Sequence, residues 1–192
     1  MEKSVCTNAG NGLPGIKLKA HPSLRNNNFF QKMENQHIYE LTTVWTGNKG
    51  DGTKNVRTYD RSHTVSIKGK PDLLLTTDNA AVGDPSKLNP EDLLVSAISS
   101  CHMLSYLYLC SLDGIVVTAY SDNATGIMIE NANGSGSFKE VKLNPQVQVA
   151  DESMVTKAME LHHKAHEICY IANSVNFEVR CEPIVNVLNN YE

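Results

Sequence analysis

One stretch constrains the fold more than any other, because residues 93–112 contain no Asp, Glu, Lys or Arg. Asn89 is a good N-cap before it, Pro90 suits the first helical position, and the next two residues are acidic, as the positive end of a helix dipole favours. Gly114 stands where a left-handed C-terminal cap is expected. Apolar side chains occur on every side, so the sequence predicts a long, central, buried helix. Its serines and its capping residues argue against a membrane span.

Composition places few limits beyond those of an ordinary globular protein. The chain has 192 residues, of which 41% are hydrophobic and 20% charged, and this predicts one domain with a core. The net charge is −4 and no basic cluster occurs, so nucleic-acid binding has no electrostatic support. Five widely spaced cysteines, an odd number, favour a reducing compartment over a disulfide framework. The first 30 residues show no apolar signal-peptide core, so a cytoplasmic location is expected.

The N-terminal part of the chain differs from the rest. Residues 1–35 are rich in Gly, Pro and Asn and show neither helical nor strand periodicity. We therefore expect a poorly ordered extension over residues 1–35 and a single domain over residues 36–192.

Short β-branched and aromatic runs bounded by turn residues predict strands on both sides of the central helix. They cover residues 38–45, 56–59, 63–68, 73–77, 115–121, 125–130, 138–149 and 175–181, and Pro183 is expected to end the last. Residues 56–59 and 63–68 are either a strand pair or one bent strand. A second helix is predicted from Asp151 to Cys169, since one face recurs every three or four residues.

This order of elements predicts an α+β fold. Three strands, the long helix, three more strands, the second helix and a last strand follow one another, and the short connections between neighbouring strands indicate antiparallel sheets. Two helices cover only part of this sheet surface. An open apolar face would favour a homodimer.

Two cysteines are candidates for chemistry. Cys101 lies in the middle of the apolar helix, and Cys169 lies at the end of the apolar face of the second. A buried cysteine most often packs as a small hydrophobic residue, which we also expect for Cys110 and Cys181. Two packed helices could nevertheless bring Cys101 and Cys169 together, and a thiol pair in a reducing compartment is more often redox-active than structural.

A reactive thiol needs a nearby cation, because burial alone disfavours the thiolate. Arg61 is the first candidate and Arg57 the reserve, each of which could equally be a solvated surface charge. An arginine can stabilise the thiolate and also donate to the departing oxygen of a peroxide. Glu91 lies ten residues before Cys101, about 15 Å along a helix, so it cannot contact that thiol within one chain.

A zinc site is the competing interpretation. His162, His166 and Cys169 would share one face of the second helix, with His102 as the one obvious further donor. No Cys-x-x-Cys pair or second ligand cluster completes a tetrahedral set. We therefore expect no metal and no bound cofactor.

Several of these motifs together resemble the OsmC/Ohr family of organic hydroperoxide reductases, and the OsmC-like branch in particular. The resemblance covers about residues 36–184. It rests on Asn-Pro-Glu-Asp-Leu-Leu from Asn89, on Ser-Cys-His-Met around Cys101, on Cys-x-x-Ala-Asn-Ser from Cys169, on Trp-Thr-Gly from Trp45 and on the strand order.

The resemblance implies an OsmC-like fold with antiparallel sheets around two long central helices, in an intertwined homodimer. It implies that Cys101 is the peroxidatic thiolate and Cys169 the resolving thiol, with Arg61 activating Cys101 and the partner's Glu91 holding that arginine. The implied reaction reduces an alkyl or fatty-acid hydroperoxide to the alcohol through a Cys101 sulfenate and a Cys101–Cys169 disulfide. A dithiol such as a lipoylated protein would then reduce the disulfide.

The alternative function is a non-catalytic binding module. It would be a dimer whose apolar interfacial pocket holds a lipid-like or thiol ligand, with Cys101 remaining reduced.

Overall fold

A computed structural model describes residues 36–79 and 81–187 of the chain. By its contacts the chain divides after Tyr39, and every helix and strand described below belongs to the unit that begins at Glu40. The predicted extension over residues 1–35 lies outside the described residues. The elements are β1 (Thr42–Trp45), β2 (His63–Ser66), β3 (Leu73–Leu75), α1 (Pro90–Leu112), β4 (Val117–Asp122), β5 (Thr125–Glu130), β6 (Gly136–Leu143), β7 (Pro145–Val149), α2 (Val155–Ile168), β8 (Glu178–Cys181) and β9 (Ile184–Val187).

The predicted central helix is α1, and its ends are where the capping residues indicate. The Asn89 side chain accepts a hydrogen bond from the backbone N–H of Asp92 (2.7 Å), and the Asp92 carboxylate accepts one from the backbone N–H of Asn89 (3.2 Å). This reciprocal capping box satisfies two donors that the first turn leaves unpaired. Gly114 has a φ of 70° just beyond the last turn, a conformation that favours glycine.

One line of α1 side chains is buried within the chain. Ile98, His102, Tyr106 and Cys110 follow one another at intervals of four residues and are at most 1% exposed. By length and composition alone α1 could cross a membrane. A core helix meets the same criterion, and α1 packs this line against α2 and two sheets.

The strand predicted over residues 138–149 is wrong, because it is two strands in two different sheets. β6 ends at Leu143 and β7 begins at Pro145. Between them the backbone N–H of Asn144 donates to the Asp122 carboxylate (2.7 Å), and the Asn144 side chain donates to the carbonyl of Asn123 (2.9 Å). These bonds replace ladder pairing, so the chain changes sheet here.

The prediction that all sheets are antiparallel is also wrong. The sheet orders are β1-β2-β3, β4-β7-β9 and β5-β6-β8. β6 pairs parallel with β8, and β7 pairs parallel with β9. Parallel pairing needs a long crossover connection, and α2 supplies it. The result is an α+β fold with two mixed sheets.

Other predicted boundaries differ because tertiary pairing decides them. β8 ends at Cys181, before Pro183 as predicted, but it is not the last strand, since β9 follows in the neighbouring sheet. Residues 56–59 form a turn with one isolated bridge, Asn48 to Tyr59, instead of a strand. α2 begins at Val155, after a 3-10 turn capped by the Asp151 side chain, and has 14 residues.

Two apolar cores lie along α1. The N-terminal half of α1 packs Ile98 against Val141 and Leu143 of β6. Its C-terminal half packs Tyr106 and Cys110 against α2, β7 and β9. His102 lies between these two halves, and the opposite side of α1 leaves the apolar side chains of Leu104, Tyr108 and Leu112 about 60% exposed.

Candidate functional site

The structure brings together the two cysteines that the sequence singled out. Cys101 lies on α1 and is half-buried, whereas Cys169 caps the C-terminus of α2 and is 0% exposed. Both are free thiols, and the Cys101 thiol lies close enough to Cys169 to raise the pKa of Cys169. We call these two residues the thiol pair.

The end of α2 places Cys169 against α1. The backbone leaves the helical conformation at Cys169, whose N–H donates to the carbonyl of His166 (3.3 Å). The chain then turns into a short 3-10 segment, Ala172–Ser174, in which the N–H of Asn173 donates to the carbonyl of Cys169 (3.0 Å). Burial, followed by the neighbouring Cys101 thiol, raises the pKa of Cys169 to about 11. Cys169 is therefore a protonated thiol at neutral pH.

The thiol pair is unsymmetrical, which suits two successive roles. The half-buried Cys101 is the thiol that a small molecule reaches first, and the buried Cys169 is protected from it. Neighbouring thiols on two packed helices can form a disulfide where their Cα atoms lie within about 7 Å. Cys110 packs in the core as expected, where burial raises its pKa.

Arg61 and Glu91 lie together in a different place. They line one pocket of about 400 Å³ with Trp45, Tyr59 and other residues. Nη1 of Arg61 donates to the carbonyl of Tyr59 (2.9 Å), and its guanidinium lies 4.3 Å from the Tyr59 ring centroid. This cation–π contact holds the head group in place. We call this the arginine pocket.

The arginine pocket and the thiol pair are separate within one chain. Neither Cys101 nor Cys169 is among the described residues that line the pocket. In residues 36–79 and 81–187 no Lys or Arg side chain hydrogen-bonds to Cys101, and no ion pair joins Arg61 to Glu91. The helical spacing of Glu91 and Cys101 is as predicted, since both lie in α1. The roles of Arg61 and Glu91 stay predictions.

Arg57 is placed less favourably than Arg61. It is exposed, in the turn that replaces the predicted strand, and its backbone N–H donates to the Asn55 side chain (2.9 Å). It is not among the described residues that line the arginine pocket. Of the two arginines, Arg61 is the one that the fold places beside Glu91.

The zinc ligand set considered from the sequence is not assembled. His162 and His166 line one pocket, but His162 is buried against His102, and Cys169 is taken up in the thiol pair. A different cluster forms instead, from His102 of α1, His162 of α2 and Cys181 of β8. Burial lowers the pKa of His102 to about 4 and that of His162 to about 3, and raises that of Cys181 to about 12.

Sequence reasoning missed Cys181 as part of this cluster. It lies 79 residues from His102 and has no motif around it. Only the parallel pairing of β8 with β6 brings it to α1.

Comparison with known proteins identifies the family. The sequence profile described as OsmC-like protein matches residues 83–183. The chain belongs to the OsmC-like family. This span contains the thiol pair and Glu91, and the resemblance seen in the sequence is confirmed.

Solved structures agree with the family assignment. An OsmC-like protein of unknown function from Vibrio cholerae is 32% identical, with a TM-score of 0.70, over 78% of this chain and 100% of that one. Organic hydroperoxide resistance proteins from Elizabethkingia anophelis (20% identity, TM-score 0.59, 79% and 99% covered) and Legionella pneumophila (18%, 0.58, 79% and 100%) share the fold. No curated protein matches the chain.

Proposed function

We propose that the protein reduces organic hydroperoxides, of the alkyl or fatty-acid class, with its thiol pair. The observation that carries the proposal is the proximity of a half-buried Cys101 on α1 to a buried, protonated Cys169 at the end of α2. Two solved structures with the same fold are described as organic hydroperoxide resistance proteins. They support the reaction class, and the thiol pair supplies the chemistry.

The proposed cycle is balanced with one hydroperoxide and one dithiol. The Cys101 thiolate attacks the terminal oxygen of the hydroperoxide, the O–O bond breaks, and the alkoxide takes a proton and leaves as the alcohol. Cys101 is now a sulfenic acid. The Cys169 sulfur attacks it, water leaves, and a Cys101–Cys169 disulfide forms. A dithiol co-substrate, such as a lipoylated protein, reduces the disulfide and is itself oxidised to a disulfide.

A second copy of the chain is part of the proposal. Cys101 needs a cation, and within one chain Arg61 lies in a pocket apart from the thiols. The exposed apolar side of α1, formed by Leu104, Tyr108 and Leu112, would be covered in a homodimer. We propose that such a dimer brings an arginine pocket, with Arg61 and Glu91, to the thiol pair of the partner chain.

Peroxide consumption tests the proposal. Reduced protein is mixed with cumene hydroperoxide and a dithiol, and the loss of peroxide is followed by stopped flow. Cys101→Ser should abolish turnover, whereas Cys110→Ala, a cysteine change in the core, should keep it. Peroxide turnover that survives Cys101→Ser would refute the proposed reaction at Cys101.

Intact mass after one equivalent of peroxide separates the two steps. The wild type should lose two hydrogens as the disulfide forms. Cys169→Ser should instead gain one oxygen, because its sulfenic acid has no thiol to condense with. A gain of oxygen in the wild type as well would contradict the resolving role of Cys169.

A non-catalytic binding module is the second candidate. It is favoured by the separation of Arg61 from Cys101 in the described part of the chain, and the Vibrio relative is described as of unknown function. This function predicts no turnover of peroxide and an unchanged mass. The two assays above therefore distinguish the two functions.

A further inference from the structure

Two buried imidazoles and one thiol converge between the two cores of the fold. Nε2 of His102 lies 3.0 Å from Nδ1 of His162 and 3.4 Å from Sγ of Cys181. All three atoms lie within 4.8 Å of one another. His102 and His162 are 1% and 3% exposed. We call these three residues the His–His–Cys cluster; it is distinct from the thiol pair.

The two distances from Nε2 of His102 are close to those between ligands around one metal ion, and the third pair, Nδ1 of His162 and Sγ of Cys181, lies within 4.8 Å. A tetrahedral zinc ion binds histidine nitrogen at about 2.0–2.1 Å and cysteine sulfur at about 2.3 Å. Those bond lengths place the ligand atoms about 3.3–3.6 Å from one another. The observed contacts of 3.0 and 3.4 Å differ from this by a few tenths of an ångström. Small side-chain shifts would therefore admit the ion.

Hydrogen bonding alone does not satisfy the cluster. An imidazole nitrogen has either one hydrogen or one lone pair, yet Nε2 of His102 faces two partners. The other nitrogen of each ring, Nδ1 of His102 and Nε2 of His162, faces away from the cluster and has no hydrogen-bond partner among the described residues, and an ion in the cluster would not contact it. Buried polar groups left in this state cost stability. The cluster is thus not explained as a completed polar network in the core.

The surrounding elements fix the positions of the cluster's side chains, and a pocket connects the cluster to the protein surface. The Tyr106 ring stacks on the His162 ring, with centroids 3.8 Å apart and planes 11° from parallel. The three ligands come from α1, α2 and β8, so three packed elements position them. A pocket of about 280 Å³, lined by His162, His163, His166 and Cys181 among others, reaches the cluster.

We propose that His102 Nε2, His162 Nδ1 and Cys181 Sγ bind one Zn²⁺ ion, with water or a small anion from the pocket in the fourth position. Two imidazoles and a thiolate suit zinc, whereas calcium and magnesium require oxygen ligands. On binding, the Cys181 thiol releases its proton to solvent and no electron is transferred. Three protein ligands with one open position are typical of sites where zinc acts on a small molecule. The site does not depend on the proposed peroxide chemistry.

Metal titration of the full-length protein tests this site. The protein is stripped with a chelator, kept reduced with a non-thiol reductant, and titrated with Zn²⁺ against a chromophoric chelator. We expect one Zn²⁺ per chain. Co²⁺ should show a thiolate-to-cobalt charge-transfer band and the visible bands of a tetrahedral ion. Absence of stoichiometric binding would overturn the proposal.

Two variants that remove a ligand and two control variants test which residues bind Zn²⁺. Cys181→Ser should weaken Zn²⁺ binding by more than about 100-fold, since loss of a ligand exceeds the 10–100-fold effect of an outer-shell partner, and should remove the charge-transfer band. His162→Phe keeps the stacking on Tyr106, removes the ligand nitrogen, and should weaken Zn²⁺ binding as much. His163→Ala is the matched control on the same helix and pocket, and should bind as the wild type does.

The fourth variant excludes binding at the thiol pair. Cys101→Ser should keep the charge-transfer band, because Cys101 is not in the His–His–Cys cluster. A band lost in Cys101→Ser and kept in Cys181→Ser would place the metal at the thiol pair and overturn the proposal. If both Cys181→Ser and His162→Phe bound Zn²⁺ with wild-type affinity, the proposed site would also be refuted. Circular dichroism confirms that each variant is folded.

Discussion

Acid should destabilise this protein through its buried histidine pair. His102 and His162 have folded pKa values of about 4 and about 3, lowered chiefly by burial, whereas an exposed histidine has a pKa of about 6.5. The unfolded chain therefore binds protons before the folded one as the pH falls. Stability from the neutral pair is fully present above about pH 6.5. It is lost progressively as the pH falls toward the folded values.

The size of the acid-induced loss of stability follows from the difference in proton binding between the unfolded and the folded chain. At pH 5 the unfolded chain gains about 2 kcal/mol from protonating each histidine, relative to the neutral form, while the folded chain gains almost nothing. Two such residues give a loss of about 4 kcal/mol between neutral pH and pH 5. This value depends little on the folded pKa of either residue, provided that both stay well below 5. A loss of this size is a large part of a typical 5–15 kcal/mol of stability.

Urea unfolding at pH 7 and pH 5, with a chelator present, measures this loss. Other groups also titrate, so the comparison is between variants. His162→Phe has one buried histidine fewer and should lose about 2 kcal/mol less than the wild type on acidification. His163→Ala removes an exposed histidine on the same helix and should behave as the wild type does. Equal acid losses in His162→Phe and the wild type would refute the reasoning.

Three further predictions concern the core, the cap and the arginine pocket. Leu161→Ala should lower the free energy of unfolding by about 2–5 kcal/mol, because the side chain is 1% exposed; a loss under about 1 kcal/mol in urea unfolding would contradict its core position. Asn89→Ala should cost about 1 kcal/mol and Asn89→Ser much less, since serine keeps a capping oxygen; equal thermal shifts for both would argue against the cap. Under the proposed function, Arg61→Ala should slow peroxide consumption about 100-fold, and Arg57→Ala should have little effect; similar rates would remove Arg61 from the mechanism.

Local sequence signals predicted α1 and its neighbours well. The capping box at Asn89 and the left-handed Gly114 are short-range features, so the residues themselves specify where the helix begins and ends. Strand β5 likewise matches its predicted range, residues 125–130. The contacts that define the ends of α1 lie within a few residues along the chain, and β5 pairs with the next strand, β6, across a short hairpin.

The sequence-based predictions were wrong where the structure depends on contacts with residues far away in the chain. Residues 138–149 have strand character throughout, and only hydrogen bonds from Asn144 to Asp122 and Asn123 show that the chain changes sheet there. Parallel pairing of β6 with β8 joins residues 38 positions apart, as Glu140 with Glu178. No local pattern distinguishes that arrangement from an antiparallel one.

The sequence by itself determined the family, the central helix and the two cysteines of the candidate site, because each depends on local spacing and capping. Tertiary structure decided which groups meet. It placed Cys169 against Cys101, put Arg61 beside Glu91 and away from the thiols, and brought Cys181 to two buried histidines. These contacts join residues far apart in the chain, and burial then shifts their pKa values. The long-range contacts and the pKa shifts both depend on how the helices and sheets pack, and local sequence patterns do not specify that packing.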